Sequence, residues 1–281
     1  MKYLYHYTSL ETLALILKNK TLCFNNLLNV DDIEEAQSQD MGKIGAFVYV
    51  SCWTEDMEES IPLWNLYTPN MHGVRIRLPV FPFVKYHYKR GEMFFGEDTE
   101  TFINCKALYD ENKICVSASC PLLIKVEYTN DYDKLFPKVK RESLVGDLQK
   151  FLEAKDMNNL GDIMKDNIEV SYSFEDIGNY KRENWKFQNE WRYKITIMPM
   201  GMQELNPPTL EKQQELIRRL ENKNNEPPYH RLFLSLAPNV FSDMEVIFGP
   251  KMSEAEKIMG TSLLNEYAPK CVYRDSYLKI K

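Results

Sequence analysis

The chain has 281 residues, of which 44% are apolar and 27% charged, and its formal net charge is −6. This composition is typical of a folded globular protein and excludes disordered, collagen-like and coiled-coil chains, while the negative charge argues against general attraction to nucleic acid or an anionic membrane. No stretch reaches the ~18 apolar residues of a membrane span and the N-terminus lacks a signal peptide's apolar core, so we expect a cytoplasmic protein with no membrane partner.

The first third of the chain predicts short strands and helices around one central strand. Residues 3–7 (YLYHY) predict a strand, and Thr8 or Ser9 then caps a helix whose apolar residues recur at helical spacing. Residues 46–53 (AFVYVSCW) are apolar on both faces, which predicts a strand in the middle of a sheet. Further short elements are predicted by the same criteria: a strand at 21–24, a helix at 62–66 and a strand at 73–78.

The rest of the chain mixes strands and helices without regular βαβ alternation. The middle predicts strands near Phe94 and at 122–128, and a helical segment over 141–169. The later elements are a strand over Phe187–Ile197, a helix at 209–222, strands at 232–236 and 245–248, and a helix that Ser253 caps. This order predicts the α+β class, in a single domain over residues 1–281 with a helical insertion at about 130–182.

Three short segments carry residue types suited to chemistry. They are residues 6–8 (HYT) at a strand end, residues 64–67 (WNLY) on the short helix, and residues 188–190 (QNE) on the late strand. Residues two apart on a strand share a face, so we expect Gln188, Glu190 and Arg192 to point the same way.

These segments resemble the bacterial family catalogued as domain of unknown function 2971. The resemblance rests on the opening YHYTS with its helix, the loop rich in Asn, Asp and Glu, the Trp-x-x-Tyr before a Gly-Val strand, and FGPKMS near the C-terminus. It covers nearly the whole chain. The loop reads Asn29-Val30-Asp31-Asp32-Ile33-Glu34 where the family has Asn-Asp-Pro-x-Glu, and Gln188 stands where an acidic residue is more usual.

The order His, Tyr, Glu also resembles ADP-ribosyltransferases of the diphtheria-toxin and poly-ADP-ribose-polymerase type. The resemblance implies a split pair of antiparallel sheets flanked by helices, with NAD as the substrate. It implies that His6 holds the adenosine ribose, that Tyr67 stacks on the nicotinamide and that Glu190 completes the site. In full, the implied NAD contacts are His6, Tyr7, Thr8, Trp64 and Tyr67, and the implied contacts to the acceptor or other substrate are Gln188, Arg192 and Asp32.

The chemistry of NAD cleavage explains these residue types. Breaking the nicotinamide–ribose bond passes through an oxocarbenium-like cation, which a carboxylate such as Glu190 stabilises most in the transition state. An aromatic ring such as Tyr67 holds the planar leaving group by stacking, and His6 positions the ribose. No GxGxxG or GxxxxGK[ST] segment occurs, which excludes the Rossmann and P-loop interpretations.

The sequence therefore predicts an NAD-dependent ADP-ribosyltransferase or NAD glycohydrolase, and the resemblance associates it with bacterial toxins or phage-defence effectors. The alternative is a non-catalytic nucleotide- or protein-binding module on the same fold, in which Glu190 forms a salt bridge with Arg192 or Lys186. A third interpretation is an RNA phosphotransferase, which needs Arg or Lys in the cleft. Six Cys without a CxxC pair and only four His predict free thiols and no metal site.

Overall fold

The computed structural model describes residues 2–113, 121–144, 168–207 and 209–281. Within these ranges the protein is a mixed α+β structure, as the sequence predicts. The strands are β1 (Tyr3–Thr8), β2 (Thr21–Asn26), β3 (Val48–Thr54), β4 (Val74–Pro79), β5 (Tyr86–Tyr88), β6 (Thr99–Thr101), β7 (Leu122–Lys125), β8 (Glu127–Tyr128), β9 (Lys140–Leu144), β10 (Ile168–Tyr172), β11 (Tyr180–Lys181), β12 (Glu190–Thr196), β13 (Arg231–Ser235), β14 (Glu245–Phe248) and β15 (Val272–Asp275). The helices are α1 (Leu10–Asn19), α2 (Ile61–Tyr67), α3 (Cys105–Asp110), α4 (Tyr132–Leu135), α5 (Met202–Leu205), α6 (Leu210–Leu220) and α7 (Glu254–Tyr267).

The main sheet is organised around β3, which confirms the prediction of a central strand. One edge of β3 pairs with β12 along its whole length, from Val48 to Thr54. The other edge pairs with β2 at its start and with β1 at its end, where Tyr5 opposite Thr54 is the only matched pair. Beyond that pair β1 diverges from β3. The sheet consequently divides into one wing of β13, β2, β3, β12 and β7 and a second wing of β1, β4, β14 and β15.

The two faces of the sheet differ in chemistry, because side chains alternate along each strand. One face carries Leu4, Trp53 and Tyr193 and joins the largest hydrophobic cluster, which also contains Leu13 from α1 and Leu264 from α7. The other face carries more polar groups and is named here the polar face. By the strand register it includes Tyr7, Cys52, Thr54, Glu190 and Arg192.

Helix α2 covers part of the polar face. The Ser60 hydroxyl accepts a hydrogen bond from the backbone N–H of Leu63 and so caps the helix, and proline occupies its first turn. Leu63 and Trp64 are buried against Tyr7, and the Trp64 ring meets the Tyr7 ring edge-on at 4.9 Å between centroids. The buried side of α2 thereby fixes where its last residue, Tyr67, can lie.

The sequence predictions are wrong in three described places. Glu92–Phe94 forms a 3₁₀ turn after Gly91, whose positive φ of 87° ends any extended run, so Phe94 lies between the short strands β5 and β6 and not in one. The helix predicted over 141–169 is instead an antiparallel pair, β9 with β10, at both of its described ends, and residues 145–167 lie outside the description. The late strand begins at Glu190 rather than Phe187, because Glu183–Gln188 forms a 3₁₀ helix that ends at a left-handed Asn189.

Membrane spans were predicted to be absent. Among the helices in the described ranges, none combines the length and the apolar character that crossing a bilayer requires.

Candidate functional site

A small cavity of about 60 Å³ lies where β1 diverges from β3. Strands, helix α2 and the turn before β12 all contribute to its walls. Its lining residues are Tyr5, His6, Tyr7, Cys52, Trp53, Thr54, Leu63, Tyr67, Gln188 and Glu190. The three residues predicted to carry the chemistry, His6, Tyr67 and Glu190, therefore line one cavity although they are far apart in the sequence.

His6 bridges the gap between the two strands. Its Nδ1 lies 2.8 Å from the backbone carbonyl of Cys52, and because a carbonyl can only accept, Nδ1 carries the proton. The ring also packs against Trp53, with 5.0 Å between centroids. Burial lowers the pKa of His6, and the bond to Cys52 offsets only part of this effect. His6 is consequently neutral at physiological pH, and its Nε2 is an acceptor.

Tyr67 is held by its hydroxyl. Gln188 Nε2 donates to this oxygen at 2.6 Å, and the hydroxyl also shares a hydrogen bond with the Asp31 carboxylate. Burial raises the pKa of Tyr67, and the nearby negative charges of Glu190 and Asp31 act in the same direction. The phenol therefore stays protonated, donating to Asp31 and accepting from Gln188, while the half-buried ring lines the cavity.

Glu190 belongs to a set of four charged side chains, Glu35, Lys181, Glu190 and Arg192, named here the buried charge cluster. Each is at most 4% exposed. Glu190 Oε2 accepts from Lys181 Nζ at 2.6 Å, and Glu190 Oε1 accepts from Arg192 Nε at 2.8 Å. Arg192 also donates to Glu35 and to the Gly178 carbonyl. The two negative and two positive charges thus compensate each other at positions that are almost inaccessible to solvent.

The pKa values of this cluster depend on two opposing effects, which are burial and pairing with opposite charges. Burial alone would raise the pKa of Glu190, but the charges of Arg192 and Lys181 outweigh it and lower this pKa to about 2. Burial dominates at Glu35 and raises its pKa despite the same two cations. Moving each of these charges out of water costs several kcal/mol. The attraction between paired charges offsets this cost only when their geometry is good. Perturbed carboxylates in a cleft mark a candidate functional site.

Four predicted site residues lie outside the cavity lining. Trp64 is fully buried in the core and donates from Nε1 to Glu59, so it packs against Tyr7 instead of contacting a ligand. Thr8 is buried beside the start of β4. Arg192 is 0% exposed and its guanidinium donates to Glu190 and Glu35, so it holds Glu190 in place and does not itself line the cavity.

Asp32 is the fourth such residue, and its neighbours are the ones that reach the site. Its Oδ1 accepts from the backbone N–H of Glu34, which closes a turn in the loop. Asp31 contacts Tyr67, whereas Glu34 pairs with Arg182 on the surface and Glu35 enters the buried charge cluster. The run of acidic residues in this loop was the sequence signal that could have indicated these contacts. No signal indicated Lys181 as a site residue, because it lies in an ordinary polar stretch of the sequence.

The His, Cys, Asp and Glu side chains of the described residues form no metal site. Within residues 2–113, 121–144, 168–207 and 209–281, no group of three or more His, Cys, Asp or Glu is arranged to hold a metal ion. Cys115 and Cys120, the closest pair in sequence, lie outside these ranges. The described lining of the cavity contains neither Lys nor Arg, so it lends no support to an RNA phosphotransferase.

Comparison of the chain with protein-family models, with curated proteins and with solved structures gives no match.

Proposed function

We propose that the chain binds NAD at this cavity and cleaves the nicotinamide–ribose bond, as an ADP-ribosyltransferase or an NAD glycohydrolase. The observation that supports the proposal is the convergence of His6 from β1, Tyr67 from α2 and Glu190 from β12 at one cavity. The divergence of β1 from β3 likewise supports an ADP-ribosyltransferase-like split sheet. A role as a bacterial toxin or phage-defence effector rests on the family resemblance.

The cavity dimensions define what part of NAD it holds. A complete drug-sized ligand needs a pocket of about 300–1,000 Å³, whereas this cavity measures about 60 Å³. It suits one flat ring, and the walls formed by Tyr5, Tyr7, Trp53 and Tyr67 are aromatic. The nicotinamide end enters in this proposal, and the adenosine end lies outside the opening.

Each lining group then has a role. Tyr67 stacks on the nicotinamide, which leaves as a neutral planar molecule. The acceptor Nε2 of His6 binds a hydroxyl of the nicotinamide ribose in this arrangement, rather than the adenosine ribose that the resemblance implies, so His6 positions the reacting sugar. The Glu190 carboxylate stabilises the positive charge that develops on the ribose. Gln188 orients Tyr67 through its amide rather than orienting an acceptor molecule.

A second candidate function is nucleotide binding without turnover. The observation that favours it is that both oxygens of Glu190 already accept hydrogen bonds, from Lys181 and Arg192. A carboxylate neutralised in this way stabilises an oxocarbenium ion less than a free one. This module would bind NAD or a related nucleotide and release it unchanged.

The two functions are separated by incubating purified protein with NAD and measuring free nicotinamide. We expect release by the wild type, and a reduction of about 100- to 1,000-fold in Glu190→Gln. Glu34→Gln is the matched control, because Glu34 makes a surface ion pair with Arg182 outside the buried charge cluster. Thermal melting of both variants checks that they are folded, since Glu190→Gln leaves two buried cations facing Glu35 alone.

Calorimetric titration with NAD completes the comparison. Binding without nicotinamide release would establish the module and refute cleavage. Neither binding nor release, with the protein folded, would refute both.

A further inference from the structure

The charge partners of Glu190 suggest how its carboxylate becomes accessible. We propose that Lys181 is a positioning residue whose ammonium exchanges between Glu190 and Glu35, so that one oxygen of Glu190 is freed for a ligand hydroxyl. This inference rests on the proposed function, because it assigns a control mechanism to the same site.

Lys181 lies between three acceptors. Its Nζ is 2.6 Å from Oε2 of Glu190, 2.9 Å from Oε1 of Gln188 and 3.1 Å from Oε1 of Glu35. Those three contacts match the three N–H donors of an ammonium group. The first two are hydrogen bonds, whereas the approach to Glu35 is close but lacks hydrogen-bond geometry.

Glu35 Oε1 is the vacant acceptor that the exchange requires. It is buried and receives no hydrogen bond from the described residues, although an unsatisfied buried oxygen is costly. Because Nζ of Lys181 already lies 3.1 Å from this oxygen, a change of angle rather than of distance is needed to form the hydrogen bond. A ligand hydroxyl could then replace the ammonium at Oε2 of Glu190, and the cluster would remain neutral throughout.

Charge balance makes the exchange testable. Without Lys181, two buried carboxylates share Arg192, and such a coupled pair takes up one proton that belongs to both Glu35 and Glu190. Without both Lys181 and the charge of Glu35, one carboxylate again faces one cation and Glu190 is ionised. The titratable and charged groups that face Glu190 from the surrounding elements are Glu35, Cys52, Tyr67, Tyr128, Lys181 and Arg192.

The first test measures the charge state of Glu190 without any substrate. The side-chain carboxyl carbons of Glu190 and Glu35 are followed by ¹³C NMR in Lys181→Met, Glu35→Gln and the double variant, with Glu190→Gln and Glu35→Gln identifying the two signals. We expect the pair of carboxyl groups to carry one proton at neutral pH in Lys181→Met, and Glu190 to be ionised in the double variant. Two fully ionised carboxylates in Lys181→Met would overturn the proposal.

The second test measures nicotinamide release against pH. In Lys181→Met the rate is expected to fall about 100-fold at neutral pH, because the shared proton reduces the charge on Glu190, and to recover as the pH rises and the pair of Glu35 and Glu190 ionises fully. Glu35→Gln also loses rate, because Lys181 has no second carboxylate to move to. The double variant should exceed both single variants, whereas a merely structural cluster would give a double variant no better than the poorer single one, which would refute the exchange.

Glu34→Gln with Arg182→Met is the control pair, because it removes a neighbouring ion pair outside the cluster. It should leave the pH profile unchanged. If the wild type releases no nicotinamide, the proposed function fails, and the NMR measurement still decides whether Lys181 controls Glu190.

Discussion

At the scale of single residues, the site depends on the charge states that burial and pairing impose. His6 is neutral and Tyr67 is protonated chiefly because they are buried, whereas Glu190 is ionised because Arg192 and Lys181 lie beside it. A neutral acceptor, an aromatic ring and a carboxylate are complementary to a ribose hydroxyl, a flat leaving group and a developing cation. The cavity would change its chemistry if any one of these states changed.

Tyr67 tests whether the ring or the hydroxyl matters for binding. Tyr67→Phe keeps the ring and removes the bonds to Asp31 and Gln188, whereas Tyr67→Ala removes both features. If stacking is the role, Tyr67→Ala should weaken NAD binding by about 0.5–1.5 kcal/mol more than Tyr67→Phe. Calorimetry measures this difference, and equal affinities of the two variants would contradict stacking.

Glu190 gives a pH prediction for stability. Its pKa is lowered on folding from 4.5 to about 2, so its contribution to the free energy of unfolding is present above the unfolded value. That contribution is lost as the pH falls from 4.5 towards about 2. The difference in urea unfolding between wild type and Glu190→Gln should therefore shrink over this interval. A difference that stays constant down to the lower value would show that Glu190 is not specially stabilised as an ion.

At the scale of elements, the site is made by the divergence of β1 from β3. Local patterns predicted β1, α1, α2, β3 and α7, because periodicity and caps such as Ser9 and Ser253 are local signals. His6, Tyr67 and Glu190 became candidates through their residue types and their resemblance to the ADP-ribosyltransferase pattern. Two features of the site were not predictable from local patterns. The alternation of residues predicted Gln188 on the strand β12, but it lies in a 3₁₀ helix. No local pattern linked Lys181 to Glu35, which is distant in the sequence.

Substituting Gly73 tests how closely β4 must approach β1 beside the cavity. A Cβ at this position would lie 2.5 Å from the Thr8 carbonyl oxygen and 2.6 Å from Cβ of Thr68, which follows α2. Gly73→Ala should therefore cost about 1–3 kcal/mol of unfolding free energy. Gly96→Ala is the control, because nothing lies within 4 Å of its added Cβ. Chemical denaturation compares the two, and equal stabilities would show that the backbone relaxes freely.

At the scale of the whole molecule, the C-terminal residues hold α2 against the second wing. Glu59, at the start of α2, accepts from Ser276 Oγ at 2.5 Å and from Trp64 Nε1 at 3.1 Å. Leu278 and Ile280 pack on the cluster that contains Tyr7 and Trp64. Residues from both ends of the sequence and from its middle therefore fix the helix that presents Tyr67.

Substituting Ser276 tests whether the C-terminal residues hold α2 in place. Ser276→Ala removes one donor from the buried Glu59 carboxylate and should lower the unfolding free energy by about 1.5–3 kcal/mol. Ser262→Ala is the control, because the Ser262 hydroxyl is exposed and bonds only within its own helix. Thermal and urea unfolding measure both, and equal effects would show that the C-terminal residues do not hold α2.

We propose that the cavity at the divergence of β1 and β3 cleaves NAD through Glu190. The most direct measurement is free nicotinamide released from NAD by the purified protein, alone and with cell lysate supplying acceptors, in parallel with Glu190→Gln. We expect the wild type to release nicotinamide and the folded Glu190→Gln variant to lose nearly all of this release. Equal release by both proteins, or no release by the wild type even with lysate, would contradict it.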